Sequence, residues 1–336
     1  MAQAFWIVAP GQGALRPVQL PPIGPDSLAP DSLTPDSLTP DSLTPDSLTI
    51  EMLASGISRG TERLVLAGRV PPSEYERMRC PFQEGHFPFP VKYGYSAVGR
   101  IAAGPRSGER VFVLHPHQDR FVVPAAWAHP IPAGVPDGRA TLAANMETAL
   151  NALWDAELVA GERVAVIGAG VVGLLVACLA QTALGVSPLV VDPEPARLEL
   201  ARALGLQAAA AASGEYDVII HASVNPAGLV AALAIAAFEA RIIELSWYGD
   251  QLVSLPLGGA FHARRLRLIA SQVGHVAPAK RATTSHAQRL AQALALLLDQ
   301  RYDLLLGPRI GFAQLPAALP ALLQTNAGRP HIVVEY

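Results

Sequence analysis

Residues 164–192 read VAVIGAGVVGLLVACLAQTALGVSPLVVD, and no charge falls between Val164 and Val191. A run of that length can span a bilayer, but its interior is punctuated. A β-branched stretch, VAVI, meets a glycine cluster. An Ala/Leu/Val-rich helical run follows to Gly185, and a second run, PLVV, ends at Asp192. Strand, tight turn, helix and strand make a buried βαβ unit, whose strands are apolar on both faces. In Gly168-Ala169-Gly170-Val171-Val172-Gly173 the glycines have separate duties. Gly168 allows the turn, Gly170 lets the backbone approach a pyrophosphate, and Gly173 lets helix and strand pack closely. The free N–H groups near Val171 and Val172 then meet the phosphate charge. Asp192 lies 19 residues past Gly173. A carboxylate there accepts from a ribose 2′-OH and repels a 2′-phosphate, so the expected cofactor is NAD(H) rather than NADP(H). Arg197 either touches the adenosine or pairs with Glu194 or Glu199 on the surface.

The alternation continues downstream. DVIIHAS (217–223), ARIIELSW (240–247) and LRLIASQVG (266–274) read as strands, and GLVAALAIAAF (228–238) as a helix. Strands and helices alternating from about 145 to 273 predict a doubly wound parallel sheet. Residues 1–130 instead show short strands broken by Pro and Gly, and the chain closes on a strand, HIVVEY. Inside the first region, residues 25–49 repeat PDSLA once and PDSLT four times. A proline in each unit forbids a continuous helix or central strand. With one leucine per unit the segment reads as a flexible insert.

Composition narrows the function classes. With 51% hydrophobic and 16% charged residues over 336 positions, the chain can bury a large core and suggests two domains. A net charge of −3 argues against nucleic acid or a polybasic membrane surface as partner. Two cysteines exclude a disulfide framework and a Cys-only zinc site. The N-terminus lacks the basic start, apolar run and cleavage site of a signal peptide, so the expected compartment is the cytoplasm.

Five stretches together resemble the medium-chain dehydrogenase/reductases, the alcohol-dehydrogenase-like proteins. They are ASGISRGTE (54–62), PVKYGYSAVGRI (90–101), GERVFVL (108–114), NMETALNALW (145–154) and GAGVVG (168–173). The SGIS-x-GTE segment also resembles the bacteriochlorophyllide hydroxyethyl dehydrogenase type. The resemblance implies an α/β chain with a GroES-like β-rich catalytic domain over 1–145, a Rossmann domain over 146–273, and a return to the catalytic domain over 274–336. It also implies a homodimer or tetramer, a nicotinamide cofactor and a small-molecule substrate. Thr148 falls in a column that contacts the cofactor, and Arg59 lies where the pyrophosphate is reached.

Departures from that family bear on mechanism. Its zinc-using members place ligands where this chain has Ser58, Tyr95 and Ala144. A hydroxyl and a phenol are poor ligands for Zn²⁺, so no catalytic metal is expected. Cys80, Glu84 and His86 are close in sequence, and Glu147 lies one turn past the third column. An incidental Cys and His in a loop is the preferred reading of that group. His115 and His117 read as loop or edge residues, and Cys178 as core. Hydride transfer still needs a group to polarise a carbonyl oxygen and exchange its proton. Thr61, at a proton-relay column, Tyr95, in place of a ligand, and Glu147, toward the nicotinamide end, are the candidates. Each has a structural alternative: a turn, packing, and the start of a helix, where acids are favoured. Arg264, Arg265 and Arg267 either hold an anionic substrate or form a solvated charged face. The expected activity is interconversion of a secondary alcohol and a ketone. The rivals are a zinc-free enone or quinone reductase and a non-catalytic NAD(H)-binding protein.

Overall fold

The structure is a computed structural model and describes residues 1–21, 46–103, 106–324 and 328–336. Most of the pentapeptide repeat therefore lies outside the described residues. The chain divides into two compact units, one of Met1–Ala144, Pro308–Asn326 and His331–Tyr336, the other of Asn145–Gly307 and Ala327–Pro330.

The first unit is β-rich. Its elements are β1 (Ala2–Ala9), β2 (Gln12–Val18), β3 (Ser47–Ile57), α1 (Arg59–Leu66), β4 (Glu84–Gly85), β5 (Val91–Lys92), β6 (Ala97–Ala103), β7 (Arg110–Val113), β8 (Arg120–Pro124), β9 (His129–Pro130) and the short α2 (Asp137–Ala140). The division between units falls inside α3 (Ala143–Ala156).

The second unit holds β10 (Val164–Ile167), α4 (Val171–Leu184), β11 (Leu189–Val191), α5 (Pro195–Ala203), β12 (Gln207–Ala209), β13 (Tyr216–His221), α6 (Pro226–Ile235), β14 (Ala236–Glu244), β15 (Arg267–Ala270), α7 (Pro278–Arg281) and α8 (His286–Leu296). Its sheet runs β12-β11-β10-β13-β14-β15, and its neighbouring strands pair in parallel. Counted from β10 that is the order 3-2-1-4-5-6 of a doubly wound nucleotide fold, with its topological switch point between β10 and β13. The helix expected over 228–238 stops at Ile235, where Ala236 takes an extended backbone and β14 begins.

The chain returns through β16 (Leu306–Gly311), α9 (Leu315–Gln324) and β17 (His331–Glu335). A seven-stranded sheet runs β16-β17-β3-β6-β7-β9 with β8 on β3, and a four-stranded one β2-β1-β5-β4.

Two sequence expectations shift. The second unit runs on to Gly307 rather than ending near 273. The physical reason is Arg289, which is 2% exposed on α8. Its guanidinium donates to Glu147 Oε1 (3.0 Å), Asn151 Oδ1 (2.5 Å) and the carbonyls of Val273 (2.5 Å) and His275 (3.2 Å). That spread of bonds ties 273–289 to α3.

The last copy of the repeat does not end in a loop. Ser47, Leu48 and Thr49 open β3, and Leu48 is fully buried opposite Val123 of β8. Its neighbours in that core include Ile50, Ala97, Val111 and Phe121. Leu48→Ala is therefore expected to cost about 2–5 kcal/mol in urea unfolding, as for other leucines lost from a packed core. Arg289→Met should cost about 3–5 kcal/mol, because it strands the buried Glu147 carboxylate. An unfolding midpoint equal to the parent's for either variant would contradict these assignments.

Candidate functional site

In the second unit the three motif glycines prove physically distinct. Gly168 has φ +108°, and a Cβ on it would come within 2.8 Å of the Ser223 nitrogen. A Cβ on Gly173 would collide with the Gly168 carbonyl oxygen. A Cβ on Gly170 would meet no protein atom within 4 Å. Gly168 and Gly173 are thus fixed by the fold, whereas the space beside Gly170 is open. Gly170 is also the N-cap of α4, with no side chain to spend on the first N–H groups, those of Val171, Val172 and Gly173. A pyrophosphate fits this cradle in chemistry and in room.

Asp192, at the end of β11, lies beside the turn. Its Oδ2 accepts from Ala169 N (2.8 Å) and its Oδ1 from Glu194 N (2.9 Å). Arg197 is buried on α5 and turns to the carbonyl of Ala169 (3.4 Å). Desolvation lowers its pKa, with Asp192 and Glu194 opposing.

Across the switch point stands a polar knot that the sequence did not flag. His221, fully buried at the end of β13, contacts Glu244 Oε2 through Nδ1 (2.8 Å) and Ser223 Oγ through Nε2 (2.7 Å). Tyr248 also donates to Glu244 (3.2 Å). Gly228 has no Cβ to obstruct it: one there would lie 2.7 Å from both His221 Nε2 and Ser223 Oγ.

Thr148 and Glu147 sit on α3. Glu147 is 5% exposed and ion-paired with Arg289 at 3.0 Å. Burial raises its pKa, and the guanidinium opposes the rise. A carboxylate so committed suits an anchor better than a proton carrier. Two of the three clustered arginines are likewise engaged. Arg264 pairs with Glu215 (3.2 Å) and Arg265 with Glu239 (2.8 Å), which makes a charged face rather than an anion clamp.

In the first unit the structure brings Tyr95 and Thr61 together. β3 delivers Ser58 to the N-cap of α1, and Thr61 stands on the first turn of that helix. The Tyr95 phenol lies near the side chains of Ser58 and Thr61. Burial pushes its pKa up to about 12, and the two hydroxyls oppose the rise. Arg59 is half-buried beside them. Behind this group runs a buried chain absent from the sequence reading. Glu62 Oε1 accepts from Ser58 N (2.8 Å), and Glu62 Oε2 meets His117 Nε2 (3.1 Å). His117 Nδ1 meets Ser55 Oγ (2.7 Å), and Ser55 Oγ meets Tyr336 OH (3.0 Å). His117 and His115 are both interior residues rather than edge ones. His115 stacks on Phe121 with ring centroids 3.7 Å apart and donates to the Pro116 carbonyl (2.9 Å).

The donor set does not fit a zinc ion. Ser58 and Tyr95 offer a hydroxyl and a phenol, poor ligands for zinc, and the Ala144 side chain has no donor to give. The substitute set is not assembled either: burial pushes the Cys80 thiol up to about 12, Glu84 is ion-paired with Lys92, and His86 is exposed. Among the described residues no three of His, Cys, Asp or Glu form a metal-holding group, and no helix is long and apolar enough to cross a membrane.

No family model matches the chain. An uncharacterized zinc-type alcohol dehydrogenase-like protein of Haemophilus influenzae is 38% identical over 84 residues, 25% of this chain and only 24% of that protein. Solved structures match over the whole length. The alcohol dehydrogenase rspB of Escherichia coli CFT073, complexed with NADH, superposes with a TM-score of 0.74 at 17% identity, covering 100% of this chain and 99% of that one. L-idonate 5-dehydrogenase of E. coli K-12 gives 0.76 at 14% identity, covering 100% and 98%. TarJ of Staphylococcus aureus, in complex with NADPH, gives 0.72 at 14%, covering 99% and 98%. The chain thus has the GroES-like plus Rossmann fold of the alcohol-dehydrogenase-like medium-chain dehydrogenases, and over a quarter of its length it resembles a zinc-type member in sequence.

Proposed function

We propose that the chain is an NAD(H)-dependent oxidoreductase that interconverts a secondary alcohol and a ketone without catalytic zinc. The observation that carries this reading is the Tyr95 phenol, near the side chains of Ser58 and Thr61, where zinc-using relatives place metal ligands. NAD(H), when bound, supplies or accepts the hydride. As a carbonyl carbon gains hydride, its oxygen develops negative charge and needs a proton. Tyr95 keeps its proton through the neutral range, so it serves as the donor. The Ser58 and Thr61 hydroxyls then steady the phenolate, and in the oxidative direction the same phenolate takes the proton back.

Asp192 supports NAD(H), because a carboxylate beside the adenosine ribose disfavours a 2′-phosphate. The open space at Gly170 would hold the pyrophosphate, with the N–H groups of Val171 and Val172 facing it. Thr148, Arg59 and Arg197 are proposed to border the cofactor. The substrate is a small molecule. The ion pairs of Arg264 and Arg265 weigh against reading the arginine cluster as an anion clamp.

Tyr95→Phe is expected to lower kcat by about 10²–10⁴-fold, the usual worth of a positioned acid, while the Kd for NADH is unchanged. Wild-type turnover by this variant would remove Tyr95 from the mechanism. If the parent reduces enones but no ketone, the reductase alternative wins. NADH binding without turnover of any alcohol, ketone or enone would favour a sensor.

The glycines supply a separate check. Gly170→Val should leave thermal stability near the parent's and weaken NADH binding at least tenfold. Gly173→Ala should destabilise the unit itself, because the added Cβ meets a backbone oxygen. Equal NADH affinity in Gly170→Val and the parent would exclude the cradle as the pyrophosphate site.

A further inference from the structure

With a neutral imidazole, the knot at the end of β13 admits one arrangement of its hydrogens. Glu244 Oε1 accepts from Ser246 N (2.6 Å), and Oε2 accepts from the Tyr248 hydroxyl (3.2 Å). His221 Nδ1 lies 2.8 Å from that Oε2 and 3.0 Å from Oε1. A carboxylate only accepts, so Nδ1 carries the proton. Nε2 is then a bare lone pair, and the Ser223 hydroxyl, 2.7 Å away, donates to it. Ser223 has two lone pairs left. One accepts from Asn225 N (3.2 Å), so the serine has one acceptor position to offer and no donor.

That serine stands beside the open cradle. It follows β13 at the switch point and is half-buried, and its backbone nitrogen lies 2.8 Å from where a Cβ on Gly168 would be. The turn that carries it is braced by the same knot. Val224, a β-branched residue held at φ +55°, donates its N–H to Ser246 Oγ (3.1 Å). A β-branched side chain rarely adopts that backbone, and such strain persists only where the surroundings enforce it.

We infer that Glu244 is a positioning residue that fixes the tautomer of His221 and so makes Ser223 an acceptor for a hydroxyl of the nicotinamide ribose. The inference rests on the reading of this crevice as the NAD(H) site. In a dinucleotide the pyrophosphate is flanked by two riboses. With the pyrophosphate at Gly170 and the adenosine ribose at Asp192, on the β11 side of β10, the second ribose falls on the β13 side. Its hydroxyls can donate to Ser223. The pyrophosphate oxygens cannot, and the N–H groups of α4 are their partners instead.

Two measurements on the full-length protein test the two halves of the inference. The first needs no cofactor. In ¹⁵N spectra of the labelled histidines, with His221 assigned by His221→Gln, the parent should show a protonated Nδ1 and a bare Nε2. In Glu244→Gln the Ser246 N–H holds the amide oxygen, which turns the amide N–H group toward Nδ1. The proton should then move to Nε2. A parent protonated on Nε2 or on both nitrogens, or a Glu244→Gln protein with the parent's pattern, overturns the tautomer lock.

The second compares the Kd of NADH with those of analogues carrying fluorine in place of each nicotinamide-ribose hydroxyl, because fluorine cannot donate. Ser223→Ala should weaken NADH about 3–10-fold, the worth of one hydrogen bond. In the parent one fluoro analogue should bind about 10-fold more weakly than NADH. That penalty should shrink to within about threefold in Ser223→Ala and also in Glu244→Gln, whose Ser223 hydroxyl turns outward as a donor. No penalty in the parent, or an equal one in all three proteins, overturns Ser223 as the ribose acceptor. A parent that binds no NADH overturns the nucleotide reading and the ribose assignment with it, while the histidine spectra still decide the lock.

Discussion

The carbonyl oxygen of Gly168 occupies the space a Cβ on Gly173 would need, and the Rossmann unit is arranged around that approach. It sets how closely α4 leaves the end of β10, and hence where the first N–H groups of the helix point. Gly168 itself is pressed against the Ser223 backbone at the end of β13. The turn is therefore wedged between its own helix and the neighbouring strand, at the point where the strand order reverses. A side chain at either position would push the helix from the sheet. One at Gly170 would push nothing in the protein, and this difference separates a fold requirement from an opening for a ligand.

The β-rich unit solves a different problem. Where relatives gather soft or charged donors for a metal, this chain gathers three hydroxyls, those of Ser58, Thr61 and Tyr95. Hydroxyls cannot hold zinc well, but they can pass and share a proton. A group of them needs a fixed orientation to do so, because each can donate or accept. Beneath them lie groups that are less free: the Glu62 carboxylate, which accepts the Ser58 N–H, and the His117 imidazole, which holds that carboxylate.

The two layers differ in how far they can be read from the sequence. The glycine turn is local, since Gly168, Gly170, Gly173 and Asp192 lie within one βαβ unit whose periodicity names its own elements. The Tyr95–Thr61 pairing was legible only as two columns of a resemblance. The chain behind them was not legible at all. Glu62 meets His117 across 55 positions, and Ser55 meets Tyr336 across 281. Glu147 carries the same lesson, because a first-turn acid looks like a relay until Arg289, 142 positions away, is seen to claim it. Leu48 shows it within a repeat: PDSLT gives no sign that its last copy lies opposite Val123 in a sheet.

Both units use a carboxylate for the same purpose. Asp192 accepts the N–H of Ala169 inside the glycine turn, and Glu62 accepts the N–H of Ser58 at the start of α1. In each case a side-chain oxygen satisfies a backbone donor at a helix entrance that would otherwise seek water or a nearby hydroxyl. The two differ in what holds the carboxylate. Asp192 also accepts the N–H of Glu194 and so braces the turn from its own strand end. Glu62 is held by His117, 55 positions away. A carboxylate at a helix entrance is normally read as a stability device worth a fraction of the fold's free energy. In this chain each one also fixes a short piece of backbone from which candidate site residues follow, Gly170 after Ala169 and Thr61 after Ser58.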